Sequence, residues 1–258
     1  MAEVPETLEG WYAMHDFRRL DWPRWKALSA AERASILEEA SAFVEKTESA
    51  YENHTGASGW FAIVGHKADL MQLHLRPSLH ELNQLKLGFA QLRLADYLIP
   101  TYSYLSITEL SLYEAYSRGG SQDREALMAQ PFVKKRLFPP VPDAAEMPFV
   151  CFYPMNKRRG ETVNWYAADM EERRKMMRDH ASTGRKFHGR VQQMITGSTG
   201  LDDWEWGVTL FAVDALDIKK LIYEMRFDEV SAKYADFGAF YVGERVSASG
   251  LAELFELR

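Results

Sequence analysis

The stretch CFYPMNKRRG, residues 151–160, sets an oxidisable phenol, Tyr153, beside the thioether of Met155 and three consecutive cations, Lys157, Arg158 and Arg159. A tyrosine ending a strand is commonly a core residue with its hydroxyl at the rim, whereas one facing a bound redox metal is a candidate for oxidation to a radical. The basic triplet is more often a solvated loop than a binding site, with a receptor for carboxylates as the functional reading. Arg136, Arg185, Arg190 and Arg226 supply further cations, so a carboxylate-rich ligand finds bidentate partners there. His180 is the candidate metal ligand by position. On MEERRKMMRDHASTG, residues 170–184, Met170, Arg173, Met177 and His180 share a helix face, with Gly184 expected to cap the helix C-terminus. A histidine packed near a helix C-terminus, where the dipole favours it, and a metal ligand are both open on the residues alone. His188, in a strand-like segment, has the weaker claim.

Other chemistries find little support. The seven histidines show no zinc-finger spacing and no HExxH, and the lone Cys151 cannot build a thiolate metal site. GxGxxG, a Walker A loop and GxSxG are missing too. Cys151 lies in an apolar run, which reads as a buried thiol in a reducing compartment. A net charge of −6 disfavours nucleic acid and anionic membrane as partners. The opening MAEVPETLEGWY lacks the basic and apolar regions of a signal peptide, and no window approaches a membrane span. The expectation is a soluble, cytoplasmic protein.

These residues must be held by elements that the pattern makes visible. Residues 11–19 read as a strand. A helix follows from Ser29, with Glu32 at capping-box spacing. Apolar runs at 60–65 and 69–75 read as strands, and a second capped helix starts at Ser78 with Glu81 before a strand at 101–107. GGSQD and FPPVPDAAEMP mark a linker. The same order then returns: a strand at 149–153 ending before Pro154, a helix from Asp169, strands at 191–195 and 206–213, a helix from Asp214, and a strand FGAFYVG at 237–243. The expected architecture is α+β, with two βαββαβ units of the ferredoxin-like kind at 1–115 and 148–258 joined by a linker at 116–147. Two such sheets can pack face to face or bend into a barrel with the helices outside, leaving space between sheet and helices for a flat ligand.

Taken together, CFYPMNKRRG, NWY (164–166), MMRDHASTGRKFHG (176–189), GLDDWEWGVTLF (200–211) and YEMRFDEVSAKYADFGAFYVG (223–243) resemble the chlorite dismutase-like haem protein superfamily. The likeness is closest to its coproheme decarboxylase branch, the hydrogen peroxide-dependent haem synthases. LEGWYAMHDFR (8–18) and the segments at 67–70 and 94–106 extend it over nearly the whole chain. The resemblance implies a dimeric α+β barrel assembled as a homopentamer, with the N-terminal repeat structural and making subunit contacts. It also implies iron coproporphyrin III bound in the C-terminal half as both substrate and redox centre, haem b as product, and a transient contact with ferrochelatase.

Residue by residue, the resemblance makes His180 the iron ligand and His188 none. Tyr153 becomes the radical that attacks a propionate, and Lys157 its charge partner. Met155 would contact the reacting edge of the ring. Gln193 occupies the distal position, where chlorite dismutases place an arginine, and this neutral amide favours the decarboxylase branch. Arg136 and Ser231 resemble propionate contacts, Trp165 a secondary oxidisable site, and Asp228 or Glu229 would receive the second ring nitrogen of His180. Chlorite dismutation and non-catalytic haem binding are the rival readings.

Overall fold

The structure, a computed structural model, describes residues 4–112 and 123–256. Its first half runs β1 (Thr7–Leu20), α1 (Trp22–Lys26), α2 (Ala30–Glu48), β2 (Ala57–Ile63), β3 (Leu70–Arg76), α3 (Leu79–Ala90), a 3-10 turn (Arg93–Tyr97) and β4 (Leu98–Ser111). The two expected caps are formed. Ser29 and Glu32 make the full capping box on α2, and the Ser78 hydroxyl accepts the Glu81 amide at the start of α3.

The expected linker is partly helical. Residues 116–122 of it lie outside the described residues, but α4 (Arg124–Ala129) and α5 (Pro131–Leu137) follow. Their Leu127, Val133 and Leu137 bury against Leu8 and Leu110 of β1 and β4. Pro131 sits at the first turn of α5, where a proline is tolerated, rather than in the helix interior that it would break.

The second half runs β5 (Phe149–Lys157), α6 (Met170–Arg185), β6 (Val191–Gly197), β7 (Trp206–Ala212), α7 (Ala215–Met225), α8 (Glu229–Tyr234), β8 (Ala235–Phe237), β9 (Tyr241–Val246) and α9 (Ala248–Phe255). The strands join in the order β7-β6-β4-β1-β3-β2-β9-β5-β8, and a further β7–β5 pairing closes all but β8 into a ring. Every pairing is antiparallel. Inside the ring Trp11, Phe17, Phe61, Leu73, Tyr104, Phe152, Phe211 and Tyr241, drawn from both halves, pack together. Outside, α1, α2, α3 and α9 cover one part of the sheet, where Trp25 of α1 and Phe89 of α3 pack with Trp60 of β2, and α7 covers another with Ile218, Leu221 and Met225.

Two strand boundaries differ from the expectation. β5 does not end before Pro154 but continues to Lys157. Proline lacks the amide that a ladder requires, yet Pro154 sits where β5 changes neighbour, from β9 at Phe149–Phe152 to β8 at Met155–Lys157. FGAFYVG is likewise two strands, interrupted at Gly238 between β8 and β9. Among the described residues, no helix is long and apolar enough to cross a membrane.

Candidate functional site

Side chains alternate across a strand, so Val150 and Phe152 enter the barrel core while Cys151, Tyr153 and Met155 join the outer cluster. Lys157 falls on the same outer face. The extension of β5 through Pro154 is what carries this alternation from the phenol to the lysine. Next to β5 lies β7, with Tyr153 opposite Val208 and Met155 opposite Trp206. Beyond it is β6, with Gln193 opposite Leu210 and Ile195 opposite Val208. Val191, Ile195, Val208 and Leu210 all pack in the outer cluster. Gln193 therefore faces the same side as Tyr153.

Helix α6 crosses this face. Asp169 caps it by accepting the amides of Glu171 and Glu172. Contrary to expectation Gly184 does not terminate α6, which ends one residue later with Lys186 as its cap. Gly184 instead thins the helix one turn beyond His180. A Cβ there would lie 3.3 Å from Met225 Cε and 3.7 Å from Gln193 Nε2, so bare backbone passes over the Gln193 amide. The shared face also shifts by one residue: Arg173 and Met176 are buried with His180 beside them, while Met177 turns to solvent, 42% exposed.

His180 Nδ1 lies 2.9 Å from Asp228 Oδ2. Of the two acidic candidates, Asp228 is the one in contact. Asp228 is itself fixed as the cap of α8, with Oδ1 accepting the Ser231 amide at 2.9 Å and Oδ2 the Ser231 hydroxyl at 3.2 Å. Burial would raise this carboxyl, but the hydrogen bonds from His180 and Ser231 outweigh burial and hold it below the usual range. An ionised Asp228 cannot donate, so the hydrogen bond is donated by His180 Nδ1 and Nε2 lies on the far side of the ring from it. In this arrangement the Ser231 hydroxyl is committed to Asp228 rather than turned toward a ligand carboxylate.

The basic triplet divides. Arg158 pairs with Asp236 at 2.9 Å and Arg159 with Glu205 at 3.5 Å, both largely in solvent, as the loop reading expects. Lys157 turns inward. Its backbone amide donates to Glu205 Oε2 at 2.9 Å and its ammonium lies 4.8 Å from the centroid of the Trp165 ring. Desolvation lowers its pKa to about 8, with Asp228 and Glu205 opposing the shift. Trp165 in turn packs edge-on against Tyr234 at 5.3 Å.

Burial also pushes the Tyr153 phenol above its ordinary range, against the weaker pull of Arg226. The phenol is therefore protonated at neutral pH. Arg136 on α5 reaches this face indirectly. Its Nε donates to the Glu109 carbonyl at 3.3 Å, and the Glu109 carboxylate accepts the Trp206 indole at 3.2 Å, beside Met155. His188 is exposed and Arg185 likewise. Glu205, Phe237 and Phe240 escaped the reading of the sequence. The isolated Gly238 inside an apparent strand was the available signal for the two phenylalanines.

Among the described residues, no group of three or more His, Cys, Asp or Glu is assembled to hold a bare ion. One imidazole nitrogen, a neutral amide across from it, a phenol and an inward lysine fit a metal whose remaining ligands come from a macrocycle with carboxylate arms. Residues 33–246 match the family model for chlorite dismutase, and the chain belongs to that family. Within it, the chain is 48% identical to the coproheme decarboxylase of Staphylococcus carnosus and 46% identical to that of Staphylococcus saprophyticus, each over 100% of both chains. A solved haem-binding protein from Thermus thermophilus superposes with a TM-score of 0.90 at 43% identity, covering 100% of this chain and 99% of that one. The R173K chlorite dismutase of Candidatus Nitrospira defluvii shares the fold, with a TM-score of 0.74 at 19% identity over 96% of each chain.

Proposed function

We propose that this protein is a coproheme decarboxylase, an oxidoreductase of haem biosynthesis. It converts iron coproporphyrin III to haem b through two successive hydrogen peroxide-dependent oxidative decarboxylations. The observation that carries the reading is the placement of Tyr153, Met155 and Lys157 on one outer face of β5, a face shared by Gln193 of β6, which lies in register with Cys151 and beneath Gly184 of α6. The full-length identity to the staphylococcal enzymes points the same way.

The iron porphyrin, when bound, turns peroxide into the oxidising equivalents for the reaction. His180 holds the iron through Nε2, with Asp228 fixing its tautomer. Lys157 meets the carboxylate of the reacting propionate, and Arg136 serves another propionate. Tyr153 loses an electron and its phenolic proton, then takes a hydrogen atom from the propionate β-carbon and recovers its O–H bond. Loss of a second electron cleaves the bond to the carboxylate, releasing CO2 and leaving a vinyl group. Each arm thus consumes one propionic acid and one peroxide and yields one vinyl, one CO2 and two waters. Gln193 offers no charge with which to retain an oxychlorine anion, which disfavours chlorite dismutation.

The strand order supports two ferredoxin-like repeats, at 1–115 and 148–258, with the C-terminal one binding the porphyrin. A cytoplasmic homopentamer that receives its substrate from ferrochelatase completes the proposal. The test is to load the purified protein with iron coproporphyrin III, titrate hydrogen peroxide, and follow the porphyrin by mass spectrometry. Two successive losses of CO2 plus two hydrogens are expected, and none from Tyr153→Phe. Wild-type rates in Tyr153→Phe overturn the role given to Tyr153, and bleaching without mass loss in the parent overturns the decarboxylase reading.

A further inference from the structure

The phenol of Tyr153 is gripped by two rings that the sequence order alone keeps apart. Phe240 stacks on it with centroids 4.5 Å apart and planes at 27°, and Phe237 leans against it at 5.7 Å and 52°. The two phenylalanines also touch each other at 6.4 Å. Phe237 is backed from outside by Arg226, whose guanidinium lies 3.8 Å from the ring centroid. The interruption between β8 and β9 is what makes this grip. In a continuous strand Phe237 and Phe240, three apart, would point to opposite faces. Here the Gly238 amide donates to the Pro154 carbonyl at 2.8 Å, and any Cβ at 238 would meet Pro154 Cγ at 2.7 Å and Trp204 Cζ2 at 2.9 Å. The break is thus stapled to the residue next to Tyr153, and both rings arrive on the same side. Lys67 anchors the far end by donating to the Phe240 carbonyl at 2.6 Å.

We infer that Phe237 and Phe240 form a clamp that fixes the ring dihedral of Tyr153 and keeps water from its faces, so that only the hydroxyl meets the propionate. The inference rests on the proposed role of Tyr153 as hydrogen-atom acceptor and names the residues that position it. Hydrogen-atom transfer requires the phenoxyl oxygen in near contact with one C–H bond, and a displacement of about 1 Å is enough to cost roughly 10²-fold in rate. The clamp residues are positioning residues, acting through the phenol that they touch.

The experiment uses the full-length protein with 3-fluorotyrosine incorporated, the Tyr153 signal being identified by its loss in Tyr153→Phe. In the ligand-free wild type, slow ring flips should give two fluorine resonances for Tyr153. In Phe240→Leu these should merge as flips become fast, while Phe240→Tyr, which restores a ring, should keep them separate. After loading with iron coproporphyrin III and freeze-quenching with peroxide, the tyrosyl radical of unlabelled wild type should show one set of β-methylene couplings, because these depend on the ring dihedral. Phe240→Leu should show a broadened distribution and decarboxylate about tenfold or more slowly, and Phe240→Tyr should recover both. Phe237→Leu serves as the second variant should Phe240→Leu fail to fold. Two resonances and unchanged couplings in Phe240→Leu and Phe237→Leu, with Tyr153→Phe inactive, overturn the clamp and leave the proposed function standing. Full activity in Tyr153→Phe overturns the role of Tyr153 on which the clamp rests.

Discussion

Asp228→Asn isolates one hydrogen bond. Asp228 accepts three contacts: the Ser231 amide on Oδ1, and the Ser231 hydroxyl and His180 Nδ1 on Oδ2. An asparagine keeps Oδ1 for the Ser231 amide, so α8 retains its cap, but it places an NH2 group where His180 needs an acceptor. The imidazole must then accept from Asn at Nδ1, moving its own proton to Nε2, or turn away. Either response removes the lone pair intended for iron. A hydrogen bond to a charged group contributes about 1.5–3 kcal/mol, and loss of such a partner behind a metal-bound histidine lowers metal affinity about 10- to 100-fold. Much of the porphyrin affinity comes from its carboxylate arms, so the sharper readout is the iron–histidine stretch in the resonance Raman spectrum of the ferrous coproheme complex. It should weaken or vanish in Asp228→Asn. The ligand-free melting temperature should stay near that of the parent, whereas Asp228→Ala should lose about a further 1 kcal/mol with the cap. An unchanged iron–histidine stretch in Asp228→Asn would refute both the ligand assignment and the role of Asp228.

Burial holds Lys157 at a pKa of about 8 in the free protein, and an arriving carboxylate restores its preference for the charged form. Coproheme binding should therefore take up protons near pH 8.5 and almost none at pH 7, measured by calorimetry in buffers of different ionisation enthalpy. Lys157→Met should abolish the uptake. His15 and His74 are fully enclosed, and desolvation lowers each pKa from 6.5 to about 3. His15 Nε2 pairs with the Thr209 hydroxyl at 2.8 Å and His74 Nδ1 with the Ser58 hydroxyl at 2.8 Å. The unfolded chain binds these protons first, so stability rises with pH from about 3 to 6.5 and is lost on acidification below 6.5. Each imidazole contributes a slope of up to about 1.4 kcal/mol per pH unit. Melting temperatures recorded from pH 7 to 5 should fall less steeply in His15→Gln or His74→Gln, and an unaltered slope in both would remove this account.

What the sequence determined by itself was whatever short-range chemistry controls. The capping pairs Ser29 with Glu32 and Ser78 with Glu81 announced their helices because a side chain and an amide three residues apart suffice to make the contact. The alternation of Cys151, Tyr153, Met155 and Lys157 likewise follows from strand geometry, and the motifs around them pointed to the family that the chain matches. The tertiary structure decided the rest, because it depends on partners distant in the chain. Pro154 survives inside β5 only because β9 gives way to β8 at that point. Gly184 stays inside α6, where a lone glycine suggested a cap, because Met225 and Gln193 lie beneath it. Asp228 rather than Glu229 meets His180 because capping α8 turns that carboxylate toward α6. FGAF has the pattern of a continuous strand, but Gly238 is wedged against Pro154 and Trp204, a contact that no local pattern encodes.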